Sequence, residues 1–301
     1  MRRKVSKIGP STLMVSLPAK WVKKYNIKKG AEIDIEEQNS KLIINARTEK
    51  EGGKISLNTA DFGHFDKNFI SYLYQKGYDE IEVRFDDVNT FNIIEKKLNS
   101  LLGFEIINQT QNSCIIRSVS APLEKEFDPI LRRTFLILLD MGRSCYIALE
   151  KQEYDNLKEI ALMERTIDKL TDFLKRVLNK KGYGDKTIFI YCIVRDLEKI
   201  GDIYRDVCKY FLEEKNRKQI SKDVLNIFNQ TNNFLELFYK LFYKFDKEFM
   251  LKLHEEKKNL LKKAFYLFEK SQKKEQILIH HLITLITMTF DLYGPYFTMV
   301  F

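Results

Sequence analysis

The chain has 301 residues, 44% of them hydrophobic and 31% charged, which is enough apolar material for a sizeable core and too balanced in sign for a disordered chain. A formal net charge of +9 points to anionic partners, either nucleic acid or an anionic membrane face. The start, MRRKVSKIGP, has no apolar run and predicts no signal peptide. Cys114, Cys145, Cys192 and Cys208 form no Cys-x-x-Cys pair, which argues against a thiolate zinc site and for buried thiols in a reducing cytoplasm.

Residues 1–50 carry twelve basic side chains against five acidic ones, so +7 of the +9 falls in this segment, and no acid precedes Glu32. Within 1–47, KVSKIG and LMVSL alternate as strands, PAKWVKKYN opens a helix at Pro18, and IKKGAEIDIEEQNSKLIINA gives two more strands with a turn at 38–40. Four short strands and one helix make too small a core to stand alone, which predicts a homodimer through this segment.

After a linker at 48–54, residues 54–120 read as an α/β unit: strand 54–57, helix 65–76, strand 79–85, helix 89–102, and strands 104–109 and 113–119. Gly77 and Gly103 stand where the two helices should end. The unit has no Gly-rich phosphate loop and no nucleophile constellation. Residues 122–301 are helical almost throughout, with helices expected at 126–149, 152–179, 186–214, 221–244, 246–270 and 273–301. Six helices in two groups of three, 122–215 and 220–301, suggest tandem three-helix bundles. The last stretch is apolar enough to raise a membrane span, but its two His, its Asp and its Gly-Pro break favour a buried final helix.

ERTIDKLTD at 164–172 and EKIGDIYRD at 198–206 repeat one skeleton, an acid at every fourth position. Glu164, Asp168, Glu198 and Asp202 each fall one residue past an apolar stripe, so they flank the core. About the loop centred on Tyr183, Glu164 is level with Asp202, and Asp168 with Glu198. The outer acids Asp172 and Asp206 are expected to rotate toward water. Like charges four apart repel by a few tenths of a kcal/mol per pair, roughly, and a hard cation with oxygen ligands would remove that cost. The plain alternative is two solvated acidic faces screened by Arg165, Lys169 and Lys199. Gly201 beside Asp202 would let the helices, or a ligand, come close.

RDLEKIGDIYRDV and MERTIDKL resemble the paired acidic motifs of the PhoU phosphate-uptake regulators, a family of two three-helix bundles that bind metal clusters on the bundle surface. The resemblance covers 122–301 and implies that Glu164, Asp168, Glu198 and Asp202 are metal ligands for a divalent or trivalent hard ion such as Fe, Mg, Mn or Ca. In the second bundle the corresponding positions read Glu255, Asn259, Thr287 and Asp291, one acid short in each pair, so one site or none is expected there. KIGPSTLMVSLPAKWVKKYNIKKGAEIDIE, with its flanks, resembles the SpoVT/AbrB (MazE-like) DNA-binding domain over residues 3–46. That family builds a swapped-hairpin barrel from two chains and contacts DNA with basic side chains of its first strands. Here this implies Arg2, Arg3, Lys4 and Lys7, with Lys20 and Lys23 near the phosphates. Ser16 stands where some members carry Arg, which favours phosphate contact over base reading. The combination resembles archaeal phosphate-uptake regulators.

The expectation is therefore a multidomain, mainly α protein: half of a swapped-hairpin β-barrel, a middle α/β unit and PhoU-like tandem bundles. It would be a cytoplasmic, homodimeric, non-enzymatic regulator of phosphate uptake that binds DNA and senses phosphate, metal or partner status through the bundles. The main alternative is an adaptor on a phosphate transporter or its signalling kinase, with the barrel serving only to dimerise. A metal-dependent hydrolase is disfavoured, because no His and no nucleophile accompany the acids.

Overall fold

The computed structural model describes residues 2–38, 41–46, 53–62, 66, 68–119, 126–214 and 219–301. Most of the expected turn at 38–40 and of the linker at 48–54, and the joint near 121–122, lie outside them. The chain divides into two units, Met1–Glu51 and Gly52–Phe301.

In the first unit, β1 (Val5–Ile8) pairs antiparallel with β2 (Thr12–Val15), with Val5 opposite Val15 and Lys7 opposite Leu13. Gly9 in the connecting turn has φ +68, a conformation that side-chain-bearing residues rarely adopt. Pro18 is the N-cap of α1 (Ala19–Lys24), and β3 (Asp34–Gln38) pairs antiparallel with β4 (Lys41–Asn45). Among the described residues the strands form two two-stranded sheets, β1 with β2 and β3 with β4. None of the unit's described residues is buried. Leu13 is 69% exposed and Leu42 68%, and Val5, Ile8, Met14, Val15 and Ile35 are exposed as well.

The second unit opens with a four-stranded sheet of β5 (Lys54–Asn58), β6 (Glu80–Arg84), β7 (Phe104–Gln109) and β8 (Ser113–Ser118) in the order β5-β6-β8-β7. β5 and β6 are parallel and the other pairings antiparallel. α2 (Asn68–Lys76) and α3 (Val88–Leu98) complete a small core with Ile70, Tyr74, Ile81, Val83, Ile94 and Ile116. α2 ends at Lys76 because Gly77 turns the chain at φ +102.

The helical part follows the expected boundaries closely: α4 (Phe127–Glu150), α5 (Leu157–Lys181), α6 (Thr187–Glu213), α7 (Lys222–Tyr243) and α8 (Lys247–Lys270). Two differences have local causes. Residues 152–156 are not α-helix: Gln152 takes φ +61 and Tyr154–Asn156 form a 3-10 turn before α5. The last expected helix is two, α9 (Lys273–Asp291) and α10 (Tyr293–Val300), because Pro295 cannot donate to the turn before it. α4–α6 and α7–α10 form two groups sharing one continuous apolar core, with α4 packed on α7 and α6 on α9 and α10. Lys273–Val300 is long and apolar enough to cross a membrane by composition, yet α9 buries Leu278, Ile279, Leu282, Leu285 and Ile286 within this core.

Candidate functional site

α5 and α6 form the antiparallel hairpin on which the repeated acids lie. Gly201 lets them approach: a Cβ there would come 3.1 Å from the Ile167 Cδ1 and 3.3 Å from its Cγ2. The glycine thus serves helix–helix contact. Across this seam one carboxylate oxygen from each of Glu164, Asp168 and Asp202 lies within 4.8 Å of the others. Glu164 is 8% exposed, and Asp168 and Asp202 are partly buried. Among the described residues no other trio of potential ligands comes so close.

Glu198 is beside the trio but is engaged elsewhere. Its carboxylate accepts from Thr171 Oγ1 at 2.9 Å and is ion-paired with the buried Lys175. Arg205, one turn after Asp202, donates from Nη1 to Glu164 at 2.6 Å and also to Asp202. Its Nε and Nη2 donate to Asp206 at 3.0 and 2.9 Å. The cations bonded to these acids are therefore Arg205 and Lys175; of the three bases that could screen two solvated acidic faces, Lys169 donates to the Asn99 carbonyl at 3.3 Å. Helical spacing offered a signal for Arg205, because i and i+3 share a face.

These cations do not neutralise the cluster. Burial, then the charges of Glu164, Glu198 and Asp202, push the Asp168 carboxyl up to about 8. Burial also raises Asp202, with Glu164 and Glu198 adding to the shift and Arg205 opposing it. An all-oxygen donor set whose central member holds a proton near neutral pH fits a hard cation, which would take the proton's place.

Asp172, expected to face water, is 5% exposed. The α/β unit docks there: Gln75 Nε2 donates to it at 2.7 Å and Lys97 stands 4.0 Å away. One turn on, Arg176 lies between the Tyr74 and Phe104 rings, 4.9 and 4.8 Å from their centroids. It donates to the carbonyls of Tyr74 and Tyr78 at 2.8 and 2.7 Å and pairs with Asp79. Asp206 is half-exposed. In the second bundle, Lys257 Nζ stands 3.8 Å from the Phe290 ring centroid and His254 meets Phe290 and Tyr293 edge-on.

In the first unit Arg2, Arg3, Lys4, Lys7, Lys20 and Lys23 are all exposed. Lys7 projects from β1, and Lys20 and Lys23 from α1.

Residues 7–54 match the family described as antidote-toxin recognition MazE, bacterial antitoxin. No curated protein matches the chain. Among solved structures, the chain is similar to the crystal structure of the phosphate transport system regulatory protein PhoU from Streptococcus pneumoniae, at 14% identity and a TM-score of 0.47, covering 57% of this chain and 92% of that one. The N-terminal segment is thus similar to MazE.

Proposed function

We propose that the protein is a homodimeric, DNA-binding regulator of phosphate uptake, not an enzyme. In this reading the N-terminal unit holds duplex DNA and the α5–α6 hairpin responds to a metal ion. The observation that carries it is the state of the first unit, where apolar strands lie open beside an acid-free basic edge. Each large aliphatic side chain left in water forgoes roughly 1.5–3 kcal/mol of burial. A second copy supplying its own hairpins would close a barrel over Val5, Leu13, Val15, Ile35 and Leu42. Dimerisation also doubles the six candidate phosphate contacts, Arg2, Arg3, Lys4, Lys7, Lys20 and Lys23. The assignment to phosphate uptake rests on the paired acidic motifs of α5 and α6. Glu164, Asp168 and Asp202 would hold the ion, with Glu198 available once it leaves Lys175.

The test is fluorescence anisotropy of a duplex at several salt concentrations. Affinity should fall by about 10³ or more between 50 and 200 mM salt, as expected for six or more phosphate contacts. Salt-insensitive binding, or none at the lowest salt, contradicts the DNA half. Ser16, with no base-reading Arg at that position, favours the adaptor reading. A chain lacking residues 1–47 that still regulated uptake would favour that alternative over DNA binding.

A further inference from the structure

Arg205 stands on two carboxylate sets at once. Its Nη1 serves Glu164 and Asp202, while Nε and Nη2 serve Asp206. The two sets differ in what surrounds them. Glu164 is buried in the α5–α6 seam, whereas Asp206 is half-exposed and can follow the guanidinium outward. We propose that Arg205 is a displaceable latch on the acidic trio, a resident cation that competes with the metal ion and withdraws onto Asp206 when the ion binds. This rests on the reading of Glu164, Asp168 and Asp202 as a cation site.

Three features support it. First, the arginine competes for the groups a cation needs, because its Nη1 bonds to two of the three carboxylates. Second, a guanidinium stays protonated at any accessible pH, so it leaves only by moving. Third, the withdrawn position already exists: the edge bearing Nε and Nη2 is on Asp206 before any ion arrives. Lys175 does not share this arrangement. It is buried and paired to Glu198, outside the trio. The latch would also reach the second bundle. Burial and His280 lower the His281 pKa, and the charge of Asp206 opposes that shift, so Asp206 is felt on α9. Swinging the guanidinium outward about Asp206 changes the field at the seam between α6 and α9, where the two bundles pack.

The latch sets an order of affinities that a passive acidic cluster does not. Removing the guanidinium should tighten metal binding, and removing its withdrawn position should weaken it. Mn²⁺ titrated calorimetrically into the full chain should bind Arg205→Gln at least about tenfold more tightly than wild type, a difference of roughly 1.4 kcal/mol. Asp206→Asn should bind more weakly than wild type, and Arg205→Lys should fall between wild type and Arg205→Gln. Circular dichroism on each variant verifies that the helices are intact. Should Arg205→Gln not fold, Arg205→Lys decides, and affinity above wild type supports the latch. Equal or weaker binding by the folded arginine variants overturns the latch and leaves the metal site standing. No saturable Mn²⁺ heat in any protein removes the metal site and the latch together.

Discussion

At the residue scale the decisive group is Asp168. Burial and three neighbouring carboxylates push it up to about 8, against roughly 3.9 in an unfolded chain. Between those values the folded protein holds a proton that the unfolded chain has released, so stability falls as pH rises through the window. Asp202 and Asp172 shift in the same direction and add to the effect. The metal-free protein should therefore melt lower at pH 8 than at pH 5, by at least about 4 °C, and Asp168→Asn should flatten the profile. A flat or rising wild-type profile would contradict this charge balance. The pairing of Glu164 with Asp202 across the hairpin was legible from spacing alone. The roles of Arg205 and Lys175 are less legible, because spacing sets each base on an acid-bearing face while the packing of α5 on α6 decides which acid it reaches. The burial of Asp172 was not legible at all. It depends on Gln75, 97 residues away in sequence, and on how the α/β unit docks.

At the scale of elements, the boundaries of α4 and of α6 to α8 followed the apolar period to within a residue or two, whereas α3 stops at Leu98, four residues before the expected end, and backbone details moved two others: the 3-10 turn before α5, and Pro295 in the last helix. The docking of α2 on α5 is polar and centred on Arg176, which no periodicity announces. Arg176→Met should destabilise by about 2–3 kcal/mol, the scale of lost hydrogen bonds from a charged group. It should raise amide exchange in α2 while leaving α8 and α9 unchanged; unchanged exchange in α2 would place the docking energy elsewhere. Gly142 is a second tight point, between α4, α6 and α7. A Cβ there would sit 2.8 Å from the Tyr204 hydroxyl and 2.9 Å from Asn232 Oδ1, which are hydrogen-bonded to each other. Gly142→Ala should cost about 1–3 kcal/mol as overpacking, read as a lowered denaturant midpoint. An unchanged midpoint would mean that Tyr204 and Asn232 can move aside freely.

For the whole molecule, the sequence placed a basic, half-cored segment before a helical body, and the structure describes that segment with no described residue buried. The proposed account makes the segment obligately dimeric. Light scattering on the full chain should give twice the chain mass at micromolar concentration, and Leu13→Asp should reduce it to one chain; a monomeric wild type would contradict the closed barrel. In that account the parts are coupled: an ion on the hairpin should alter the affinity of the N-terminal dimer for DNA, and by reciprocity DNA should alter the affinity for the ion. The most direct measurement is duplex anisotropy at fixed low salt, with and without saturating Mn²⁺, on wild type and Asp168→Asn. The account predicts a shift of roughly fivefold or more in DNA affinity for wild type and none for the variant. DNA affinity indifferent to the ion in wild type, or absent under both conditions, would contradict it.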